Sequence, residues 1–327
     1  MNNKLSPLKI LFLVFLVIGT VYILGKQKPY ITNSGKVFGT FYNITYSSDN
    51  DLHNAIKSTL MKVDNSLSPF NKQSVITAIN NNTDNTPDSM FTHVFTLAQE
   101  ISEKTNGAFD ITVAPLVNAW GFGFKKGITP DSAAIDSMRR YTGFRTVALV
   151  DGRIIKQYPQ TMLDCSAIAK GYGCDAVAAM LDAHGVKDYM VEIGGEVVTK
   201  GKNSKGSAWT IGISKPTDNP TTSSNELFEV MNISGKSMAT SGNYRNYREE
   251  NGRKIAHTID PRTGYPVQHS LLSATVIADN CATADALATA FMVMGLEEAM
   301  EYCKNDNTIE GYFIYSDEKG NLKSARE

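Results

Sequence analysis

Asp285 and Thr289 lie four residues apart in Thr283-Ala-Asp-Ala-Leu-Ala-Thr-Ala290. On a helix that spacing turns both side chains to one face, so two hard oxygens point at one spot. Such donors suit Mg²⁺ bridging a diphosphate, and the alanines around them leave room for a ligand. A plainer account covers half of the pair, since the dipole alone favours an aspartate in a first helical turn. That account says nothing of Thr289. A second stretch is Leu163-Asp-Cys-Ser-Ala-Ile-Ala-Lys-Gly-Tyr-Gly173. A helix that opens with an acid and small residues exposes N–H groups suited to a phosphate. Lys170 lies just inside it. Glycine in a helix costs about 1 kcal/mol relative to alanine, so Gly171 and Gly173 imply that something packs closely there. A ligand or a tight helix–helix contact would both explain them.

Two further stretches are dense in groups that bind or catalyse. Ser237-Met-Ala-Thr-Ser-Gly-Asn-Tyr-Arg-Asn-Tyr247 is followed by His257-Thr-Ile-Asp-Pro-Arg-Thr-Gly264, whose last five residues read as a turn. His257 can serve as a general base, because an unperturbed histidine has its pKa near neutrality, although a lone histidine is more often a hydrogen-bonded structural residue. Thr105-Asn-Gly-Ala-Phe-Asp-Ile-Thr-Val-Ala-Pro-Leu-Val-Asn-Ala-Trp-Gly-Phe-Gly123 joins a helix end to an aromatic, glycine-rich loop. Glycines beside Trp120 and Phe122 let backbone approach a flat ligand, or else form a turn among core aromatics. Gly121, Gly123 and Gly127 do not have the spacing or context of a dinucleotide fingerprint.

The elements that must hold these residues follow from periodicity. Gly35 to Tyr46 alternates as a strand, and Leu52 to Leu67 repeats as a helix that ends in a turn around Pro69. Asn80 to Asp88 reads as a loop, with Ser89 capping a helix from Met90 to about Thr105 that Gly107 closes. Phe109 to Phe124 reads as extended or irregular. Asp151-Gly152 joins two short strands as a hairpin. Asp164 or Ser166 is expected to cap a helix running to about Ala183. Strands are expected at Tyr189–Ile193, Val197–Gly201, Trp209–Ser214, Leu227–Ile233, Ser273–Ala278 and near Gly311–Tyr315. Helices are expected at Thr283–Met294 and Leu296–Lys304. No regular strand–helix alternation and no repeat appears, so the expected class is α+β, a largely antiparallel sheet with packed helices.

Composition narrows the function. The 327 residues are 42% hydrophobic and 20% charged, which is ordinary for a globular domain able to build its own core. A net charge of −1 gives no basic excess for nucleic acid, so no nucleic-acid partner is expected. Cys165, Cys174, Cys281 and Cys303 are scattered and read as buried thiols, not a disulfide framework. Lys4 and Lys9 precede an apolar run from Ile10 to Leu24, and Lys26 and Lys28 follow it. This is the layout of an export signal or a single membrane anchor, without a clear cleavage site or a cysteine for lipid. Residues 1–29 are therefore expected to be the signal or anchor, and residues 30–327 one domain on the periplasmic side of the cytoplasmic membrane.

Together these stretches resemble the ApbE family, the FAD:protein FMN transferases, from about Gly35 to Ile309. Val37-Phe-Gly-Thr-Phe41 and Ser66-Leu-Ser-Pro-Phe70 resemble two further family motifs, with Phe38 where methionine is commoner and Phe70 where tyrosine is. The resemblance implies that FAD is split at its pyrophosphate. FMN passes to a Thr or Ser hydroxyl of a partner flavoprotein, such as a quinone-reductase or Rnf-type subunit, and AMP leaves. It implies the Ala167 carbonyl, Asp285 and Thr289 as Mg²⁺ ligands, and His257 close to the diphosphate, with Asp285 and His257 the catalytic pair. It implies contacts to the flavin nucleotide from Phe38, Phe70, Trp120, Gly121, Phe122, Asp164, Lys170 and Ile259. The same site would also serve an FAD pyrophosphatase with water as acceptor. A flavin-binding module without turnover would have no need of a metal at the scissile bond.

Overall fold

The structure is a computed structural model and describes residues 6–24, 28–123, 130–216, 227–243, 247–250 and 253–327. Lys4, Lys26, Phe124, Gly127 and the middle of the polar stretch, Tyr244 to Asn246, lie outside the described residues. The chain opens with α1 (Pro7–Leu24), a hairpin of β1 (Tyr30–Val37) and β2 (Thr40–Ser47), then α2 (His53–Leu67), α3 (Val75–Asn80) and α4 (Ser89–Lys104). Next come α5 (Ala114–Ala119), α6 (Ser132–Arg139), the hairpin β3 (Val147–Val150) and β4 (Arg153–Lys156), and α7 (Ala169–Ala183). Strands β5 (Tyr189–Ile193), β6 (Glu196–Lys200), β7 (Trp209–Ser214), β8 (Leu227–Ile233), β9 (Ser237–Gly242), β10 (Tyr247–Glu250), β11 (Arg253–Ala256) and β12 (Leu271–Ala278) follow. The chain closes with α8 (Cys281–Met294), α9 (Leu296–Asn305), β13 (Glu310–Ser316) and β14 (Leu322–Arg326).

One eight-stranded sheet in the order β1-β2-β5-β6-β9-β12-β13-β14 organises the chain. Every pairing in it is antiparallel. The α+β expectation therefore holds. Helices α7 and α8 lie against each other and on the middle strands, with α2 packed on α7 and α4 on α8. The β7–β8 ribbon covers the opposite face through Ile211, Ile213 and Met231, which meet Val197, Met238 and Ile277. Helix α8 is apolar all round because it is buried all round; Ala284, Ala286, Ala288 and Ala290 let sheet and helices approach it closely.

Several boundaries differ from expectation for local reasons. Gly35 to Tyr46 is not one strand but the turn of a hairpin: Phe38 and Gly39, at φ +50° and +73°, reverse the chain between β1 and β2. Asp88, not Ser89, caps α4, accepting from Phe91 N. Neither Asp164 nor Ser166 caps α7, which starts at Ala169. Asp164 instead closes a small turn by accepting from Ser166 N at 2.8 Å. The stretch after Phe109 contains α5, and the supposed loop around residue 80 is preceded by α3, whose N-cap is Ser74. The thiols of Cys165, Cys174, Cys281 and Cys303 are all free and buried. Along α1 the large apolar side chains from Leu8 to Val17 are exposed. Among the described residues no helix is long and apolar enough to cross a membrane.

Candidate functional site

The order of the helices on the sheet decides where the oxygens of Asp285 and Thr289 go. Helix α8 begins at Cys281, with Asn280 as its cap, so Asp285 lies past the first turn. The helix dipole alone is therefore not its explanation. Asp285 is 2% exposed, and its carboxylate accepts from Gly171 N of α7 at 3.0 Å. That bond needs α7 and α8 in close contact, and a Cβ at Gly171 would collide with the Cys281 carbonyl. Gly173 makes room for the Phe38 ring, to which an added Cβ would come within 2.8 Å. The two glycines thus have separate reasons, one a helix contact and one an aromatic. Asp175 of α7 completes the clamp by accepting from Cys281 N and Ala282 N, each at 2.8 Å.

Between these helices and the loops above them is a cleft of about 820 Å³. It brings together Asp285, Thr289, Ala167, Asp164, Lys170, His257 and Ile259, with Phe38, Phe70 and Phe122. Phe70 is 71% exposed. His257 meets Phe122 edge to face, with ring centroids 6.4 Å apart. Thr289 shares a hydrogen bond with Ser241 of β9, 3.1 Å between hydroxyl oxygens. Asp164 is fixed to the cleft wall by its amide, which donates to the Ile111 carbonyl at 2.7 Å, and burial raises its carboxyl above the usual range.

Trp120 and Gly121 do not line the cleft. Trp120 is buried with Leu116, Ile135 and Ile259, and its Nε1 donates to the Gly264 carbonyl at 2.9 Å. It joins the aromatic stretch to the Asp260–Gly264 turn and so stiffens the wall that carries Ile259 and His257. Gly121, at φ +81°, makes the turn after α5. For Trp120 the structure thus favours the core-aromatic alternative over direct ligand contact.

Sequence reasoning did not single out Glu196, Asp110 or Ser241, although the last two lie inside stretches that it marked. Glu196 opens β6 after a Gly194-Gly195 turn and binds Lys170 Nζ at 2.6 Å. Asp110 accepts from Thr112 N, Thr112 Oγ1 and Phe144 N, and burial lifts its carboxyl to about 6. Ser241 is the partner of Thr289. Two glycines before an acid at the head of a strand were the available signal for Glu196. Nothing in Ser241 separates it from its polar neighbours. Around Lys170, burial opposes its charge, but Asp285 and Glu196 outweigh that and hold the ammonium above its usual range. Burial raises the Glu196 carboxyl, Asp285 adds to the rise, and Lys170 counters both.

The donor set fits a hard divalent cation. Two buried carboxyl groups, those of Glu196 and Asp285, face one ammonium, that of Lys170. Thr289 and Ala167, which carry a hydroxyl and a backbone carbonyl, line the same cleft. Among the described residues no group of three His, Cys, Asp or Glu could hold a metal alone. A cation here would lean on one or two carboxylates and on oxygens of a substrate phosphate, as Mg²⁺ commonly does.

Fold and cleft thus define an antiparallel α+β protein with an acidic, oxygen-rich pocket walled by aromatic rings. The chain belongs to the ApbE family, whose model matches residues 38–313. It is 38% identical over 319 residues to a Haemophilus influenzae protein named "FAD:protein FMN transferase", covering 92% of this chain and 91% of that one. The flavin transferase ApbE from Vibrio cholerae superposes with a TM-score of 0.82 at 32% identity, covering 91% of this chain and 97% of that one. The apo form of Pseudomonas stutzeri flavinyl transferase ApbE gives 0.81 at 31% identity, over 92% and 95%.

Proposed function

We propose that this protein transfers the FMN half of FAD to a Thr or Ser hydroxyl of a partner flavoprotein, with release of AMP, and that it does so with Mg²⁺. The observation that carries this reading is the meeting of Asp285, Thr289 and the Ala167 loop with Lys170 and His257 in one cleft large enough for a flavin nucleotide. Phosphoryl transfer needs charge neutralisation and in-line placement more than a covalent catalyst. Bound by Asp285, Thr289 and the Ala167 carbonyl, the metal would neutralise the diphosphate and the departing AMP. Lys170 supplies a fixed positive charge beside them. Phe38, Phe70 and Phe122 offer apolar surface to the flavin ring, and Asp164 and Ile259 border its path. Neutral His257 takes the proton of the acceptor hydroxyl.

The exported location follows from the N-terminal run and remains part of this proposal. Residues 1–29 address or anchor the chain, and residues 30–327 work on the periplasmic side, where an acceptor of the quinone-reductase or Rnf type would meet them. The test is direct. Enzyme, FAD and Mg²⁺ are incubated with and without an acceptor domain, and the denatured acceptor is read for flavin fluorescence and a mass increase equal to FMN less water. An acceptor Thr→Ala variant should show neither. AMP and free FMN forming at one rate with or without acceptor, and no labelled protein, would mean hydrolysis instead.

A further inference from the structure

Glu196 lies in none of the motifs above, yet it is 3% exposed and lines the cleft. Its Oε1 takes the Lys170 ammonium at 2.6 Å, while Oε2 is buried without a hydrogen-bond partner. A buried carboxylate oxygen left unpaired costs stability and calls for an explanation. The backbone there is held firmly: the Glu196 carbonyl accepts from Cys174 Sγ at 3.3 Å, and the Gly194–Gly195 turn at φ +65° and +107° sets the entry to β6.

Lys170 stands between Glu196 and Asp285 but not midway. Its Nζ is 2.6 Å from Glu196 Oε1 and 3.6 Å from Asp285 Oδ1. The longer separation is outside hydrogen-bond reach. Asp285 Oδ2 meanwhile accepts from Gly171 N at 3.0 Å. Of the two acids, Glu196 therefore owns the ammonium. The geometry points to Glu196 as a positioning residue: it draws Lys170 off Asp285 and so keeps the Asp285 carboxylate open to a divalent cation. This rests on the metal reading of the cleft. Without the Glu196 charge, Lys170 closes on Asp285 and competes with the metal for it.

The experiment measures metal binding and not turnover. Mn²⁺ is titrated by EPR into the full chain with FAD present, for the unchanged protein, Glu196→Gln, Lys170→Met and the double variant. Glu196→Gln should raise the Mn²⁺ dissociation constant about tenfold, the low end of what a close opposite charge does to a carboxylate's affinity for a proton. FAD affinity at saturating metal should hardly move, and excess Mg²⁺ should restore turnover. In the Lys170→Met background the same substitution should change Mn²⁺ affinity little, since the effect runs through Lys170. Should Glu196→Gln fold poorly, Glu196→Asp, which keeps the charge on a shorter arm, should give an intermediate loss. Equal Mn²⁺ affinity in the unchanged protein and in Glu196→Gln overturns the inference alone, as does an equal loss with and without Lys170. No Mn²⁺ bound by the unchanged protein overturns the metal reading and this inference with it.

Discussion

Replacing Asp285 by Asn keeps an acceptor for Gly171 N but removes the charge that faces Lys170 and the proposed cation. Transfer should fall to background and Mg²⁺ should no longer tighten FAD binding in a flavin-fluorescence titration, while the melting temperature stays close to that of the unchanged protein. Near-normal transfer would mean that the carboxylate serves α8 and not the reaction. His257→Ala should act differently. A general base contributes about 10²–10⁴-fold to rate, so turnover should drop by that order with FAD affinity largely kept. Equal losses in both would make His257 a binding contact. Asp110 is the clearest pH-sensitive acid on the cleft wall. Burial raises its carboxyl from 3.8 to about 6, so its stabilising contribution is complete below the lower value and is lost as pH rises through the upper one. Chemical denaturation at pH 4 and pH 7 should show the unchanged protein losing roughly 2–3 kcal/mol relative to Asp110→Asn between the two. A difference that does not vary with pH would count against this assignment.

At the scale of elements, the cleft depends on how closely α7 approaches α8. Gly171→Ala places a methyl against the Cys281 carbonyl. Overpacking of that kind costs about 1–3 kcal/mol, and moving α8 would also carry Asp285 and Thr289 out of line. The expected outcome is a lower melting temperature together with weaker Mg²⁺ dependence. Loss of stability with the Mg²⁺ response intact would separate the helix contact from the metal site. The sequence showed that something packs on Gly171 and Gly173 but could not say what, because a glycine inside a helix reports closeness and not the identity of its neighbour. Periodic elements such as α2, α8, β7 and β8 were legible, since each has an apolar pattern longer than its ends are uncertain. The Phe38–Gly39 reversal was not. Phe38 takes a positive φ that its residue type disfavours, and packing on Gly173 holds it there.

At the scale of the whole molecule, every residue of the cleft lies beyond residue 29, and α1 exposes its apolar side chains from Leu8 to Val17. The full chain should therefore fractionate with membranes. A chain starting at residue 30 should be soluble and transfer FMN at an undiminished rate. A truncated chain that folds but no longer transfers would show that the N-terminal segment does more than address or anchor the domain.

The sequence by itself determined which chemistry was possible. The Asp285–Thr289 spacing, the Lys170 stretch, His257 and the aromatic loop each carry a local rule that residue type and distance along the chain suffice to state. It determined the α+β class as well, because alternation and helical period are local too. Only the tertiary structure decided which of these residues share a cleft. It set Trp120 behind the wall through its bond to Gly264, where residue types alone leaned to a core aromatic and the family resemblance implied a ligand contact. It also brought in Glu196, 26 residues from Lys170 in the chain and 2.6 Å from its ammonium. Charges that far apart in sequence meet only through the packing of α7 against the middle strands of the sheet, and no local pattern encodes that approach.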